Sequence, residues 1–319
     1  MTVPLMLLQM GLPAALLVWL AAFPAPGSVA FIVQACATAA VLVALGLVAP
    51  WVMPPWWVPW LFGLAFAAIV GWLLVSDRLQ GRDRRPQGWP ATVALIVLSA
   101  LGVFSIWLSA QALAGRRLPE SGTVNIASPF SEGSFIVAHG GSTATVNAHL
   151  RTLDPTVERY RRWRGQSLAV DLIRITPMGF RADGWRPADP ARYAGFGTLI
   201  LAPCDGRVAV ASDGLPDMQV PELDREHLAG NFILIECGGF AVALAHLHQG
   251  SVRPKVGDRL QTGDPIGELG NSGNSSEPHL HIHAQRGIPP DAPFGGEPLG
   301  LTIDGRFPVR NDRLRAPGQ

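Results

Sequence analysis

Glu277-Pro278-His279-Leu280-His281-Ile282-His283 is the stretch on which the reading of this chain turns. Successive side chains of a β-strand leave on opposite faces, so an extended backbone here sends His279, His281 and His283 one way and Leu280 and Ile282 the other. Ala245-His246-Leu247-His248 repeats the pattern, with two imidazoles on one side and Leu247 opposite. Packing several neutral imidazoles side by side without partners costs desolvation at each one. A shared divalent cation relieves that cost, and imidazole suits zinc. Two histidine-bearing strands therefore predict a metal-binding face.

Around these strands the chain is rich in Gly and Pro, and its apolar runs are short. Further strands are expected at Gly133–Ala138, Thr145–Leu150, Leu168–Ile175, Thr198–Leu201, Arg207–Ala211, Phe232–Cys237, Ala241–His248, Pro265–Leu269 and His279–Ala284. Gly238-Gly239 between two of them is a hairpin signal. Thr156–Trp163 alone reads as helical, and Gly214–Leu228 and Pro289–Pro298 read as irregular loops. The predicted class is a mainly antiparallel β domain, an open barrel or sandwich. Cys204 and Cys237 fall on or beside two strands, either as a disulfide or as two separate buried thiols; spacing does not decide between them.

The first third of the chain differs. Among residues 1–115 the charged side chains are Asp77, Arg78, Arg82, Asp83, Arg84 and Arg85, all in one short segment. The apolar runs Pro4–Phe23, Val29–Val48, Trp56–Val75 and Ala91–Leu113 each approach the ~20 residues a helix needs to cross about 30 Å of hydrocarbon. A charge at the centre of such a helix costs at least about 2.5 kcal/mol, so an uncharged run is a positive signal. The first run also has Ser28-Val29-Ala30 after it, which resembles a cleavage site, but no basic residue precedes it. About four transmembrane helices are expected. The Arg-rich loop after the third points to the cytoplasm, and Trp51, Trp56, Trp57 and Trp60 suit the opposite interface. That arrangement places the β domain on the extracytoplasmic side of the membrane. The expected divisions are residues 1–114, a linker and accessory segment 115–165, and a domain 166–319. With a net charge of +1 there is no basic footprint for nucleic acid.

From Gln166 to Gln285 the chain resembles the M23 family of zinc metallopeptidases, the lysostaphin-like or LytM-type peptidoglycan endopeptidases. The resemblance rests on Phe196-Gly197-Thr198, Ala202-Pro203-Cys204-Asp205-Gly206, Gly230-Asn231-Phe232, Leu244-Ala245-His246-Leu247, Val256-Gly257-Asp258, Gly270-Asn271-Ser272-Gly273-Asn274 and His279-Leu280-His281, in that order. It implies a LytM-like β sandwich holding one Zn2+ in a groove across the sheet. By the same resemblance Asp171 and His281 are metal ligands, and His246 and His279 are the catalytic pair. Peptides of the peptidoglycan cross-link are the implied substrate; the apolar helices add the lipid bilayer as a partner, and whether a membrane or cell-wall protein also binds is left open.

One family ligand is replaced. Four residues before Asp171, where the family has a histidine, this chain has Ser167. Two readings follow. Either His149, expected on the strand Thr145–Leu150, completes the metal site, or the domain is a metal-free module that binds cell wall or regulates another hydrolase. His283 is expected to lie too far along its strand to serve. His139 is expected in a turn or at the surface, His227 in a solvated loop, and His248 at a strand end or behind a ligand.

Overall fold

The computed structural model describes residues 3–76 and 89–316. The chain divides into two compact units, Met1–Leu113 and Ala114–Gln319.

In the first unit, four helices are long and apolar enough to cross a membrane: α1 (Pro4–Ala22), α2 (Ser28–Val48), α3 (Val58–Val75) and α4 (Trp89–Ala114). Each matches one of the apolar runs. Most of their large side chains face outward: Val29, Leu64, Val75 and Val103 are each more than 60% exposed. That pattern fits lipid, because water would penalise so much bare apolar surface. The arginine cluster Arg78–Arg85, on which orientation rests, lies outside the described residues.

The second unit is built on a ten-stranded sheet. Its strands are β1 (Thr123–Ile126), β2 (Ser134–His139), β3 (Val170–Ile175), β5 (Gly206–Ser212), β6 (Asn231–Glu236), β7 (Ala241–Leu247), β8 (Arg259–Leu260), β10 (Leu280–Arg286), β11 (Glu297–Ile303) and β12 (Arg313–Arg315). The main path runs β12-β2-β3-β10-β7-β6-β5-β8, with β11 beside β10 and β1 beside β11. Every pairing on that path is antiparallel, and β1 pairs with β11 in parallel. A second, two-stranded sheet of β4 (Leu199–Leu201) and β9 (Pro265–Glu268) covers one face. Between the sheets lies the main core, including Val170, Leu172, Ile200, Ile233, Leu244, Ile266, Leu280 and Ile282, all buried. Cys204 and Cys237, at the edge of this core, are joined in a disulfide across 33 residues. A loop of that length gives a stabilisation of about 3–4 kcal/mol on a chain-entropy account.

The other face of the large sheet carries the histidines. On β7, Val242 and Leu244 enter the core while Ala241 and Ala243 face the opposite way. There Ala241 and Ala243 are buried in a smaller apolar cluster with Phe294.

Several expectations need correction. Thr145–Leu150 is not a strand: Asn147 accepts a hydrogen bond from the His149 backbone N–H and starts a 3-10 helix, Ala148–Leu153. This side-chain cap competes successfully with strand pairing. The helical reading of Thr156–Trp163 becomes a longer 3-10 helix at Glu158–Leu168. Glu297 and Pro298, read as the end of a loop, begin β11, and the short strands β1, β8 and β12 were not anticipated. None of the three exceeds four residues, too short for an alternation to register.

Candidate metal centre

Register places the site. Asp171 on β3 lies opposite His281 on β10, and His281 lies opposite Ala245 on β7. On the far side of Asp171, β2 contributes His139. One row across four neighbouring strands thus carries His139, Asp171, His281 and Ala245. Sequence reading ended the β2 strand one residue early, at Ala138. That is why His139, half-buried beside the site, was expected at the surface.

His246 joins the row through a bulge. Ala245 pairs with Phe232 and Leu247 with Asn231, so His246 is an extra residue in β7. Its φ is 64°, in the left-handed region. Strict alternation would send His246 into the core with Leu244; the bulge turns it to the open face and returns Leu247 to the core. Holding a non-glycine residue there costs about 1–3 kcal/mol. Two bonds fix it: the backbone N–H to Ala229 O at 3.1 Å and ring Nδ1–H to Ser272 O at 2.9 Å. His248 does not share the face. Its Nδ1 bonds Asp217 Oδ2 at 2.5 Å and its ring meets Phe196, away from Asp171. His227 is exposed and bonded to Asp224 in its loop.

His149 arrives on the 3-10 helix. The ring nitrogens around Asp171 have their tautomers set by their other partners. Asn147 donates through Nδ2 to Gly141 O and Ala169 O, so its Oδ1 is the acceptor for His149 Nδ1–H at 3.0 Å. The bare Nε2 of His149 then stands 3.5 Å from Asp171 Oδ2. His279 donates Nδ1–H to Glu277 O at 2.8 Å, and in the neutral ring its bare Nε2 stands 3.7 Å from Asp171 Oδ1. His281 Nδ1 is 3.1 Å from the same oxygen. The His246 ring packs against those of His279 and His281, with centroids 4.8 and 5.8 Å apart.

Candidate ligand atoms of His149, Asp171 and His281 all fall within 4.8 Å of one another. A tetrahedral zinc with bonds of about 2.0–2.1 Å separates neighbouring ligand atoms by roughly 3.3 Å. The 3.1 and 3.5 Å separations from Asp171 straddle that edge. The three residues therefore fit a zinc ion in chemistry and spacing. His283 does not face Asp171; its Nδ1 sits 3.2 Å from His281 Nε2, on the far side of that ring.

Ser167 is fully buried and does not face Asp171. Its hydroxyl donates to Arg164 O and lies 2.8 Å from Thr152 Oγ1, which has one hydrogen to place on either Ser167 Oγ or His149 O. Ser167 thus packs at the end of the 3-10 helix that delivers His149.

The electrostatics are dominated by burial. Burial alone would raise the Asp171 carboxyl, but the imidazoles of His149, His279 and His281 around it outweigh burial and hold it well below the usual carboxylate range. Burial pushes His149 down from 6.5 to about 3 and His139 down to about 4, each partly offset by Asp171. It also holds His246 well below its ordinary value. Arg310, itself buried, donates to His139 Nδ1 at 2.8 Å and to the carbonyls of Ala138 and Thr145. That fixes the His139 ring with its hydrogen on Nε2. No sequence signal joined His139 to Arg310, which lies 171 residues away.

These depressed values set a pH dependence. Between about pH 4 and 6.5 the unfolded chain takes up protons at His149 and His139 that the folded chain does not. The unfolded state binds more protons there, so stability rises with pH across that window, is complete above 6.5 and is lost on acidification. Calorimetry of the zinc-free chain in detergent should show the β-unit transition moving to lower temperature from pH 7.5 to pH 4.5. A midpoint that is constant or rises on acidification would contradict the burial of these rings.

Residues 192–292 match the model of Peptidase family M23. The match spans His246, His279 and His281 and leaves Asp171 and His149 outside it. The chain is 27% identical over 208 residues to Peptidoglycan DD-endopeptidase ShyA of Vibrio cholerae, covering 63% of this chain and 44% of that protein. It is 29% identical over 109 residues to Cell division protein DipM of Caulobacter vibrioides, covering 34% of this chain and 16% of that protein. The chain thus spans less than half the length of either relative. Among solved structures, the catalytic domain of lysostaphin from Staphylococcus simulans aligns at 20% identity with a TM-score of 0.25, covering 39% of this chain and 71% of that one.

Proposed function

We propose, on the premise that the second unit carries an M23/LytM-like domain, that this protein is a membrane-anchored zinc endopeptidase acting on the peptide cross-links of peptidoglycan. One observation carries the reading: the bare ring nitrogens of His149 and His279, together with Nδ1 of His281, face a single carboxylate, Asp171. Lone pairs aimed at a carboxylate repel it, and a cation among them removes the repulsion. His149, Asp171 and His281 would hold the zinc. When bound there, zinc polarises a carbonyl and brings the acidity of water near neutrality.

The protein's own groups do the rest. With Nδ1 committed to Ser272 O, His246 has Nε2 available to accept a proton. His279, with Nδ1 committed to Glu277 O, has the same capacity. Two bases of matched tautomer beside the ligands can take a proton from the attacking water and return it to the leaving amine. The name of the relative in Vibrio cholerae supports peptidoglycan as the substrate class. Four apolar helices support anchoring in the inner membrane, and the Cys204–Cys237 disulfide supports a periplasmic β unit.

Ser167, in place of the family's first histidine, favours a second reading: a metal-free module that binds cell wall or regulates another hydrolase. The two part cleanly. The full chain in detergent, loaded with zinc, should convert cross-linked muropeptide dimers to monomers, cease on chelation and recover with added zinc. A chain that binds no zinc and leaves dimers intact, yet sediments with sacculi, is the second kind of protein.

A further inference from the structure

Behind His281 runs a chain of side chains that the proposed chemistry does not use. His281 Nε2 meets His283 Nδ1 at 3.2 Å, and His283 Nε2 meets Gln285 Oε1 at 3.3 Å. All three residues lie on β10, at alternate positions on its open face, and all are buried. The direction of this chain is fixed from its far end. Gln285 Nε2 donates to Gly287 O and Pro293 O, each at 2.7 Å, so Oε1 is the acceptor. His283 must then carry its hydrogen on Nε2. Fully buried against the Phe294 ring and bonded to no carboxylate, His283 is neutral, which leaves Nδ1 bare. Bare Nδ1 can only accept, so the hydrogen between the two rings belongs to His281 Nε2.

The packing leaves Gln285 no alternative place. A Cβ on Gly165 would collide with Gln285 Oε1, and one on Gly296 would come within 2.8 Å of its Nε2. Glycine at both positions lets the backbone close on the amide from two sides.

We propose that His283 and Gln285 are positioning residues that fix the tautomer of His281, holding its hydrogen on Nε2 and presenting Nδ1 to the metal beside Asp171. The role rests on the zinc reading given above. Without the relay, His281 would have a competing arrangement in which Nδ1–H donates to Asp171 Oδ1, 3.1 Å away. That arrangement satisfies ring and carboxylate together and closes the site to a cation. A partner behind a ligating histidine that sets its ring hydrogen is typically worth about 10–100-fold in metal affinity.

The test uses the full chain in detergent with 15N-labelled histidine, the His281 signals being assigned from the spectrum of His281→Ala. Long-range 1H–15N spectra of the zinc-free and zinc-loaded chains should both show the His281 hydrogen on Nε2. His283→Gln preserves the order of donor and acceptor, its Oε1 accepting from His281 and its Nε2 donating to Gln285. It should keep that tautomer and bind zinc within about threefold of the parent. His283→Phe fills the space without a polar atom; it should release His281 to the Nδ1–H form and weaken zinc binding by about 10–100-fold. A parent spectrum with the hydrogen on Nδ1 would overturn the proposal, as would equal losses in the Gln and Phe variants. If the parent binds no zinc but keeps the Nε2 hydrogen, the metal reading fails while the relay stands.

Discussion

Asp171→Asn is expected to leave the chain folded, strip its zinc and lower cross-link hydrolysis by at least ~10³-fold, the equivalent of about 4 kcal/mol of barrier. Asp171 is the group on which the bare imidazole nitrogens converge, and it stands between β2 and β10 in the sheet. Asparagine keeps the shape and the strand pairing but removes the charge. Its amide can donate to the His281 or His149 nitrogen, satisfying a lone pair that the carboxylate leaves facing an oxygen. The zinc-free variant should therefore melt no lower than the zinc-free parent at neutral pH. Elemental analysis, calorimetry and muropeptide chromatography on one preparation check the three parts. An Asp171→Asn chain that keeps stoichiometric zinc would remove Asp171 from the ligand set.

The second large effect separates catalysis from metal binding. His246→Ala and His279→Ala should each retain zinc and lower kcat by about 10²–10⁴-fold, the usual contribution of a positioned acid or base. Each ring is tied down by its own backbone carbonyl, Ser272 O and Glu277 O, and not by the ligands. The double variant should lose little more than the worse single one, because groups that act as a unit are strongly non-additive. If either alanine variant loses zinc with its activity, that histidine belongs among the ligands.

How much of this was legible beforehand depends on whether the controlling interaction is local. The β10 alternation sets His279 and His281 on one face with no help from elsewhere, and that much follows from seven consecutive residues. His246 also reaches the site, but not by alternation: a bulge with φ of 64° turns it, held by Ala229 and Ser272. Nothing in Ala245-His246-Leu247-His248 announces the extra residue, so His248 was wrongly grouped with it. The likeness to known sequences pointed to His246 where periodicity could not. His149, expected on a strand, arrives instead on a 3-10 helix, because the cap made by Asn147 outweighs strand propensity. His139 and Arg310 were invisible as site neighbours, since only the pairing of β2 with β3 and the return of the C-terminal segment bring them there. The membrane helices lie at the opposite extreme. Their signal is length and the absence of charge, both properties of contiguous sequence, and all four apolar runs became helices.

The central claim is that His149, with Asp171 and His281, holds one zinc. Zinc K-edge X-ray absorption on the full chain tests it most directly. The account predicts two imidazole nitrogens and a carboxylate oxygen at about 2.0–2.2 Å, with one imidazole lost in His149→Ala. A chain that takes up no zinc, or an imidazole count unchanged by His149→Ala, would contradict it.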